Sequence, residues 1–395
     1  MRLIYAVFII LLALMTSAQC QMTAEDWYNK GLALYNQSKY DDAIQAYAEA
    51  IKLDPNYVKA WNNKGLTLGR QGKYDEAIQA YDEVIKINST DSDAWTNKGI
   101  ALYYLCKYGV AKVQGEASFQ SLGEASIAYD GAIDAYNMAI GLNPDNANAW
   151  YNKGNALFDI QGDGVEAIKA YDEAIMRLDP NDSRLAMAWY KKGEAFDSMG
   201  RYNESLKAYD EATKLAPNYA VAWYAKGDVL NGQGNDDEAV KAYDEVIRIE
   251  PNNTAAWIAK GAMLARLERY DEAIKCYDEA MRLDPNDTRA RAYKADSLEN
   301  QGKAVEATVV NDEAIKLRHD QAMDWYNKGV ALDDQGNHYA AFSAYKEATR
   351  IDPNLAEAWY KQGIYLYNVS DKLDTYDQAI ECFTKASELD PELSI

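Results

Sequence analysis

Few residues in this 395-residue chain are of the types that carry catalysis or bind metals. The two histidines, His319 and His338, belong neither to an H-E-x-x-H motif nor to a histidine–cysteine cluster, the arrangements that hold zinc. The sequence also lacks the glycine motifs that bind phosphates or dinucleotides and the Gly-x-Ser-x-Gly motif of a serine nucleophile. We therefore expect no enzymatic activity, no cofactor and no metal ion.

Adjacent acidic residues are the carboxylate arrangement that recurs most often. Neighbouring residues point about 100° apart on a helix, so these pairs are poorly placed to share a proton. We interpret them as a solvated helix face that opposes a set of repeated lysines across a helical hairpin. The pairs are Asp82/Glu83, Asp172/Glu173, Asp210/Glu211, Asp244/Glu245, Asp278/Glu279 and Asp312/Glu313.

Another acidic stretch, from Asp159 to Gly164, resembles the start of a calcium-binding loop. The twelfth position of such a loop would be Ala170, where calcium loops carry a bidentate glutamate. We do not expect calcium to bind there.

The spacing of the tryptophans shows that the acidic pairs and the lysines belong to a repeated structural unit. All nine begin a Trp-x-x-x-Gly phrase, and Trp27, Trp61 and Trp95 are 34 residues apart. A fixed period of this length is the signature of a repeat architecture. The nine phrases are Trp27/Gly31, Trp61/Gly65, Trp95/Gly99, Trp150/Gly154, Trp189/Gly193, Trp223/Gly227, Trp257/Gly261, Trp325/Gly329 and Trp359/Gly363.

Each repeat unit has the pattern of two short helices joined by a turn. Apolar residues recur at helical spacing after Trp27 and again around Tyr47. The turn carries glycine in several copies, which suits a positive φ, and prolines such as Pro55 end the second helix. A glycine inside a helix, such as Gly31, costs about 1 kcal/mol relative to alanine. We therefore expect another backbone to pass close to it, with the tryptophan in the core beside it.

This pattern resembles the tetratricopeptide repeat, in which W-x2-L-G-x2-Y is followed by A-x3-F, A and P over 34 residues. The first unit matches at Trp27, Gly31, Ala43, Tyr47 and Pro55. The resemblance implies an all-α fold, a right-handed α-solenoid of about ten helical hairpins. It would occupy residues 23–393, with units starting near residues 24, 58, 92, 147, 186, 220, 254, 288, 322 and 356 and an insertion at about 107–130 within the third unit.

Lysine stands before the glycine where the family pattern has leucine, in every unit except the last, which has Gln362. We interpret the lysine stems as covering apolar surface with the ammonium groups in water. The alternative is a basic track that faces a ligand. The lysines are Lys30, Lys64, Lys98, Lys153, Lys192, Lys226, Lys260, Lys294 and Lys328.

In the family that the chain resembles, the first helices line a concave groove, and the outward positions lie one, two and five residues after the tryptophan. Tyrosine there offers rigid area with a polar tip, and asparagine can hold a peptide backbone through both donor and acceptor. We therefore predict that a protein or extended peptide binds this groove. The alternative is that these residues are the ordinary chemistry of an average repeat. The predicted groove residues are Tyr28, Asn29, Asn62, Asn63, Asn97, Tyr151, Asn152, Asn155, Tyr190, Lys191, Tyr224, Asp228, Tyr326, Asn327, Tyr360 and Lys361.

The amino terminus predicts export. Residues 1–22 combine an early cation, an apolar run too short to span a bilayer comfortably and a small-residue stretch, which is typical of a secretory signal peptide. Cys20 offers a second possibility, acylation as a lipoprotein, although Gln19 precedes it. We expect a secreted or cell-envelope protein, attached to a membrane only through this segment.

Glycosylation sites and charge agree with that location. Seven Asn-x-Ser/Thr triplets are present, at Asn36, Asn88, Asn181, Asn203, Asn252, Asn286 and Asn368, so we expect a glycoprotein. The net charge of -21 disfavours nucleic acid as a partner. Cys106, Cys276 and Cys382 are expected to pack as small apolar residues instead of forming disulfides.

Three places depart from the repeat. The eighth unit carries Arg291, Ala295, Asn311 and His319 at the positions of tryptophan, glycine, aromatic ring and proline, and we expect it to be the softest joint. The third unit's insertion is too apolar for a plain linker, so we expect lengthened helices that offer a second contact surface.

The third departure is the carboxyl end, where no polar capping helix follows Pro391. An apolar end containing Ile380, Phe383 and Leu389 would favour end-to-end self-association. Our first interpretation is an exported, non-enzymatic scaffold that holds a protein or peptide in its groove. The alternative is a structural cell-envelope protein that self-associates through its uncapped carboxyl end.

Overall fold

In the computed structural model the described residues are 22–113, 119–369 and 373–393, with side chains described outside 109–124 and 370–374. Residues 1–21, which hold almost all of the predicted signal peptide and Cys20, lie outside them. Nineteen α-helices and no β-strand occur in the described part of the chain. The predicted all-α array of helical hairpins is confirmed.

The chain divides into two compact units, one ending at Ala222 and the other beginning at Trp223. The helices up to the boundary are α1 (Ala24–Asn36), α2 (Tyr40–Leu53), α3 (Val58–Arg70), α4 (Tyr74–Ile87), α5 (Ser92–Val113), α6 (Phe119–Leu142), α7 (Ala147–Ala156), α8 (Gly164–Arg177), α9 (Ser183–Ser198) and α10 (Tyr202–Leu215). The remaining helices are α11 (Ala220–Gly232), α12 (Asp236–Ile249), α13 (Thr254–Arg266), α14 (Tyr270–Leu283), α15 (Thr288–Asn300), α16 (Ala304–Asp334), α17 (His338–Ile351), α18 (Ala356–Asn368) and α19 (Leu373–Leu389).

The turns within and between hairpins follow the sequence pattern. Gly72, between α3 and α4, has φ 74°, the left-handed conformation that glycine adopts without steric cost. Helix α2 ends at Leu53, two residues before Pro55. In the second hairpin glycine marks the turn, and in the first hairpin proline follows the end of the second helix.

The helical glycines pack against aromatic rings, whose atoms lie nearest to these positions, instead of against a passing backbone. A Cβ atom added at Gly154 would lie 2.6 Å from Cε1 of Tyr171, a fully buried ring on the second helix of the same hairpin. The prediction of a passing backbone is therefore wrong, because the ring fills the notch that the missing side chain leaves. The nine pairs are Gly31/Tyr47, Gly65/Tyr81, Gly99/Tyr136, Gly154/Tyr171, Gly193/Tyr209, Gly227/Tyr243, Gly261/Tyr277, Gly329/Tyr345 and Gly363/Phe383.

The tryptophans are half-buried, so their predicted place in the core is also wrong. The indole nitrogen of Trp61 donates a hydrogen bond to the carbonyl oxygen of Pro55 at 3.0 Å, and Trp150 does the same with Pro144 at 3.0 Å. Tryptophan thus ties the start of a first helix to the turn that precedes it. A buried indole N–H needs a hydrogen-bond partner. Here the partner is a carbonyl of a surface turn, so one edge of the indole ring stays exposed to water.

Two hairpins differ from the rest. In the third, α5 and α6 have 22 and 24 residues where α3 and α4 have 13 and 14, so the helices are lengthened as expected. In the eighth, no proline follows the second helix, and α16 runs unbroken for 31 residues through His319 into the first helix of the ninth hairpin. A helix without a stop signal continues, because each added residue gains a backbone hydrogen bond.

The cysteines and the last hairpin pack as follows. Cys106, Cys276 and Cys382 are buried and unpaired, as predicted, and burial raises the pKa of the Cys276 thiol to about 11. Of the three apolar residues expected at the carboxyl end, Phe383 fills a glycine notch and Leu389 is half-buried, while Ile380 is 60% exposed.

Membrane spanning is a separate question. Among the described residues no helix has the length and apolarity needed to cross a bilayer.

Candidate functional site

The predicted groove tyrosines stand on the rings that fill the glycine notches. The Tyr28 ring lies 6.0 Å from that of Tyr47 and 5.4 Å from that of Tyr57, at the next turn. Tyr190 repeats this arrangement with Tyr209 and Tyr219, at 5.8 and 5.3 Å. The ring positions are therefore fixed by packing, and a ligand would meet them already in place.

Exposure separates the sixteen predicted residues into three groups. Tyr151 is buried, and the exposed residues are Asn29, Asp228 and Asn327. The half-buried residues are Tyr28, Asn62, Asn63, Asn97, Asn152, Asn155, Tyr190, Lys191, Tyr224, Tyr326, Tyr360 and Lys361.

Some of the predicted polar residues serve the fold. Asn155 accepts a hydrogen bond from the hydroxyl of Tyr171 at 3.0 Å, and Asp228 accepts one from Tyr243 at 2.7 Å. Each satisfies the buried hydroxyl of a notch-filling ring, which would otherwise lose its hydrogen bond. Asn63 instead donates to the hydroxyl of Tyr28 at 3.1 Å and so joins the first helices of two successive hairpins.

A polar cluster that the sequence did not predict lies on the first helices of the third and fourth hairpins. Asp159 accepts hydrogen bonds from the hydroxyl of Tyr103 and from Lys107 Nζ, the latter at 2.7 Å, and Lys107 also donates to that hydroxyl at 2.9 Å. Asp159 lies in a π-helical turn, Leu157–Gln161, that continues α7. Such turns often mark functional sites, because they redirect side chains from the regular helical face.

The charges of this cluster depend on one another. Burial alone would raise the pKa of Asp159, but hydrogen bonds from Lys107 and Tyr103 and the charge of Lys191 hold that pKa below its ordinary value. Burial and the hydrogen bond to Asp159 raise the pKa of Tyr103, so its hydroxyl remains a donor at neutral pH. Asp159 is therefore held by Tyr103 and Lys107 within a π-helical turn.

Replacing Asp159 with asparagine is expected to lower the free energy of unfolding by about 1–2 kcal/mol at pH 7, since hydrogen bonds to a charged group are lost. A depressed carboxyl pKa adds stability above the unfolded-state pKa, and that stability disappears as the pH falls through the folded-state pKa. The difference in the free energy of unfolding between wild type and variant should therefore become smaller below about pH 4. Urea unfolding between pH 3 and pH 7 measures it.

The matched control for that variant is Asp145→Asn, which removes one carboxylate whose side chain is 91% exposed. It should leave the urea midpoint at pH 7 almost unchanged. A wild-type advantage that grows as the pH falls would contradict the assignment of Asp159.

Beside the cluster, Glu194 joins the two predicted groove residues of the fifth hairpin. The hydroxyl of Tyr190 donates to Glu194 at 2.7 Å, and Lys191 Nζ lies 2.8 Å from the same carboxylate. Tyr190, Lys191 and Asp159 thus form one polar and aromatic surface with opposite charges close together. That surface can offer donors, acceptors and ring edges to a polypeptide.

At least four of the nine repeated lysines form ion pairs with the preceding hairpin. Lys98 Nζ lies 2.6 Å from Asp82 and 5.5 Å from the centre of the Trp95 ring. Asp82 belongs to the second helix of the previous hairpin. From the sequence we expected each lysine to face an acid of its own hairpin, and that expectation is wrong. Equivalent ion pairs are Lys192/Asp172, Lys260/Asp244 and Lys294/Asp278. These lysines link neighbouring repeats, which argues against a ligand-facing basic track.

In five of the six acidic pairs the glutamate forms an ion pair within its own helix. Glu83 pairs with Lys86 at 2.6 Å and Glu279 with Arg282 at 2.7 Å, each within its own helix. Such exposed pairs contribute only a few tenths of a kcal/mol. In the described part of the chain no group of three or more His, Cys, Asp or Glu side chains is arranged to hold a metal ion.

Comparison with known families finds one kind of match. Sequence models described as tetratricopeptide repeat match residues 28–103, 128–183, 190–254, 254–287, 325–355 and 356–393. The matched ranges leave out the insertion in the third hairpin and the whole eighth hairpin, residues 288–324. No curated protein matches the chain.

Solved structures with a similar arrangement include a tetratricopeptide repeat protein, YrrB, described as having an unusual peptide-binding site. It is 21% identical, covers 54% of this chain and 96% of its own, and gives a TM-score of 0.41. MamA from Desulfovibrio magneticus is 22% identical over 44% of this chain and 96% of its own, with a TM-score of 0.40. Yeast Tom70 is 16% identical over 93% and 92% of the two chains, also with a TM-score of 0.40.

Proposed function

The chain belongs to the tetratricopeptide repeat family, and we propose that it acts outside the cytoplasm as a non-enzymatic scaffold that holds a protein or an extended peptide. Members of this family generally serve as protein-interaction scaffolds. The binding face is formed by the first helices of the hairpins. Its partner is a polypeptide that offers backbone amides and flat or charged side chains.

The observation that carries the proposal is the set of half-buried tyrosines one residue after the tryptophans in each compact unit, namely Tyr28 and Tyr190 in the first and Tyr224, Tyr326 and Tyr360 in the second. Each ring is held from below by a notch-filling aromatic, as Tyr224 is by Tyr243 at 5.6 Å and Tyr326 by Tyr345 at 5.7 Å. Rigid aromatic area that is already ordered costs little conformational entropy when a ligand binds. The amides of Asn62 and Asn97, half-buried beside these tyrosines, can meet a peptide backbone.

Export is supported by the sequence of residues 1–22 and by the position of the glycosylation triplets. All seven asparagines of those triplets are exposed, so each is accessible to a glycosyltransferase. Four of them, Asn88, Asn181, Asn252 and Asn286, lie in the turns between hairpins. A modified protein would carry its sugars at the ends of the hairpins.

Affinity capture tests the proposal. The double variant Asn152→Ala/Lys191→Ala removes an amide and a cation from the proposed binding face, and we expect it to lose at least one partner that the wild-type chain retains from an envelope extract. The control is Lys169→Ala, whose side chain is 65% exposed and pairs with Glu166 on the second helix of the fourth hairpin. The control should retain every partner.

Equal capture by the wild type and the double variant would place the partner elsewhere and contradict the proposed face. Self-association through the last hairpin stays a prediction, and the exposed Ile380 is its strongest support. Light scattering over a range of concentrations decides that question separately from the capture experiment.

A further inference from the structure

A cavity of about 450 Å³ opens between α3, α4 and α5 of the second and third hairpins. Its lining includes Leu66 and Asn97, which occupy first-helix positions five and two residues after their tryptophans. The cavity therefore opens on the face that we propose to bind polypeptide. Its size suits one large side chain with part of its backbone.

Three tyrosines with nearly parallel rings form one wall. The ring centres of Tyr74, Tyr104 and Tyr108 are 5.7, 5.8 and 6.2 Å apart, with interplanar angles of 9–19°. These distances form an almost equilateral triangle, so the nearly parallel rings are offset from one another instead of forming a single stacked column. Tyr104 and Tyr108 are 37% and 51% exposed. Parallel, partly exposed rings favour a flat ligand group that can stack against one of their faces.

A glycine opens the floor of the cavity. Gly69 lies eight residues after Trp61, where the other hairpins carry larger side chains, including Tyr35, Tyr103, Phe158 and Tyr367. A Cβ atom added at Gly69 would meet nothing within 4 Å, in contrast to the notch glycines. This glycine therefore does not serve helix packing, and its effect is to leave space at the foot of the tyrosine wall.

The side chain of Arg70 contributes a positive charge to the lining of the cavity. Arg70 has its repeat counterpart in Arg266, which is neutralised by Asp236 thirty residues earlier. The residue thirty positions before Arg70 is Tyr40, and in the described part of the chain no carboxylate pairs with Arg70. A guanidinium without an internal partner can bind a carboxylate of a ligand through two parallel hydrogen bonds.

We propose that this cavity is a specificity pocket for an aromatic side chain of a bound peptide, with a carboxylate next to that residue held by Arg70. The carboxylate comes from an acidic side chain or from the peptide's own carboxyl terminus. The aromatic ring stacks on the wall of Tyr74, Tyr104 and Tyr108 and occupies the space above Gly69. The proposal rests on the proposed function, since it names the kind of peptide that the binding face selects.

Fluorescence anisotropy of the full chain with labelled pentapeptides tests the pocket. The probes are Gly-Ala-Phe-Glu-Ala amide, the same peptide with leucine for phenylalanine, the same peptide with glutamine for glutamate, and Gly-Ala-Ala-Ala-Phe with a free carboxyl terminus. We expect the first or the last to bind about tenfold more tightly than the leucine and glutamine peptides, which separates the two sources of the carboxylate.

Two variants test the space for the aromatic ring and the carboxylate contact separately. Gly69→Leu fills the floor and should abolish the preference for phenylalanine, while thermal stability is unchanged or higher because the added Cβ atom meets nothing within 4 Å and leucine is the better helix former. Arg70→Gln should abolish the preference for the carboxylate and keep that for phenylalanine. The control is Gly232→Leu, at another helical glycine with no neighbour within 4 Å, and it should keep both preferences.

Binding without a preference for phenylalanine, or an unchanged preference in a folded Gly69→Leu variant, overturns the pocket. Absence of binding by all four peptides overturns it as well. The proposed function stands or fails independently, through the capture of a partner by the wild type and its loss in Asn152→Ala/Lys191→Ala.

Discussion

Replacing Gly154 with alanine is expected to lower the free energy of unfolding by about 2 kcal/mol, although alanine is the better helix former. The new Cβ atom would lie 2.6 Å from Cε1 of Tyr171, closer than two such carbon atoms come in native proteins. Tyr171 is fully buried, so the ring has little free volume into which it can withdraw. Overpacking of this kind costs about 1–3 kcal/mol and outweighs a gain in helix propensity of about 1 kcal/mol. Urea unfolding followed by circular dichroism gives the midpoint.

A matched glycine and a double variant isolate the cause. Gly232→Ala has no neighbour within 4 Å and should be stabilising by up to about 1 kcal/mol. Combining Gly154→Ala with Tyr171→Leu should cost less than the sum of the two single changes, because the shorter side chain vacates the notch. If Gly154→Ala proves as stable as Gly232→Ala, the ring can move aside and the glycine is not required by packing.

Periodicity indicated the helical hairpins correctly because it reports which face of a helix is buried. It does not report what that face touches. Gly31 and Tyr47 were both visible in the sequence, yet they are sixteen residues apart on two helices, and only the crossing of those helices brings ring and glycine together. The half-buried state of the tryptophans has a similar origin, since their indole N–H groups require the carbonyl of a turn.

The residues of the proposed binding face stay a prediction, but the structure shows what several of them contact. Counting from the tryptophan selected Tyr28 and Tyr190, which pack against other rings, and also Asn155 and Asp228, which satisfy buried hydroxyls. The contacts of Asp159 with Tyr103 and Lys107 were missed because a π-helical turn changes the helical register after Leu157. Gly69 could have been found from the sequence, by comparing the residue eight positions after each tryptophan.

The eighth hairpin is expected to exchange its amide hydrogens at least about tenfold faster than the seventh, because it lacks two contacts that stabilise the seventh, the tryptophan-to-turn hydrogen bond and the glycine–ring contact. Arg291 replaces the tryptophan and donates at 3.2 Å to the carbonyl of Asp287, the N-cap residue four positions earlier, whereas Trp61 reaches back six positions to Pro55. Ala295 and Asn311 replace the glycine and its ring, and Asn311 is exposed where Tyr277 is 1% exposed. Hydrogen exchange with mass spectrometry compares peptides from α15 and the first half of α16 with peptides from α13 and α14.

Restoring the missing contacts tests whether they, and not the long helix, cause the weakness. The triple variant Arg291→Trp/Ala295→Gly/Asn311→Tyr should slow exchange in this hairpin by about tenfold or more, since burying one large aromatic side chain stabilises by about 1.5–3 kcal/mol. Asn311→Tyr alone, with Ala295 retained, should gain little, because the methyl group occupies the notch that the ring needs. Helix α16 is expected to remain 31 residues long in all of these variants. If amide protection rises only when both the ring and the glycine are restored, the missing glycine–ring contact is the cause of the faster exchange. Protection in the wild-type eighth hairpin equal to that of the seventh would instead show that the continuous helix compensates for every contact that has been lost.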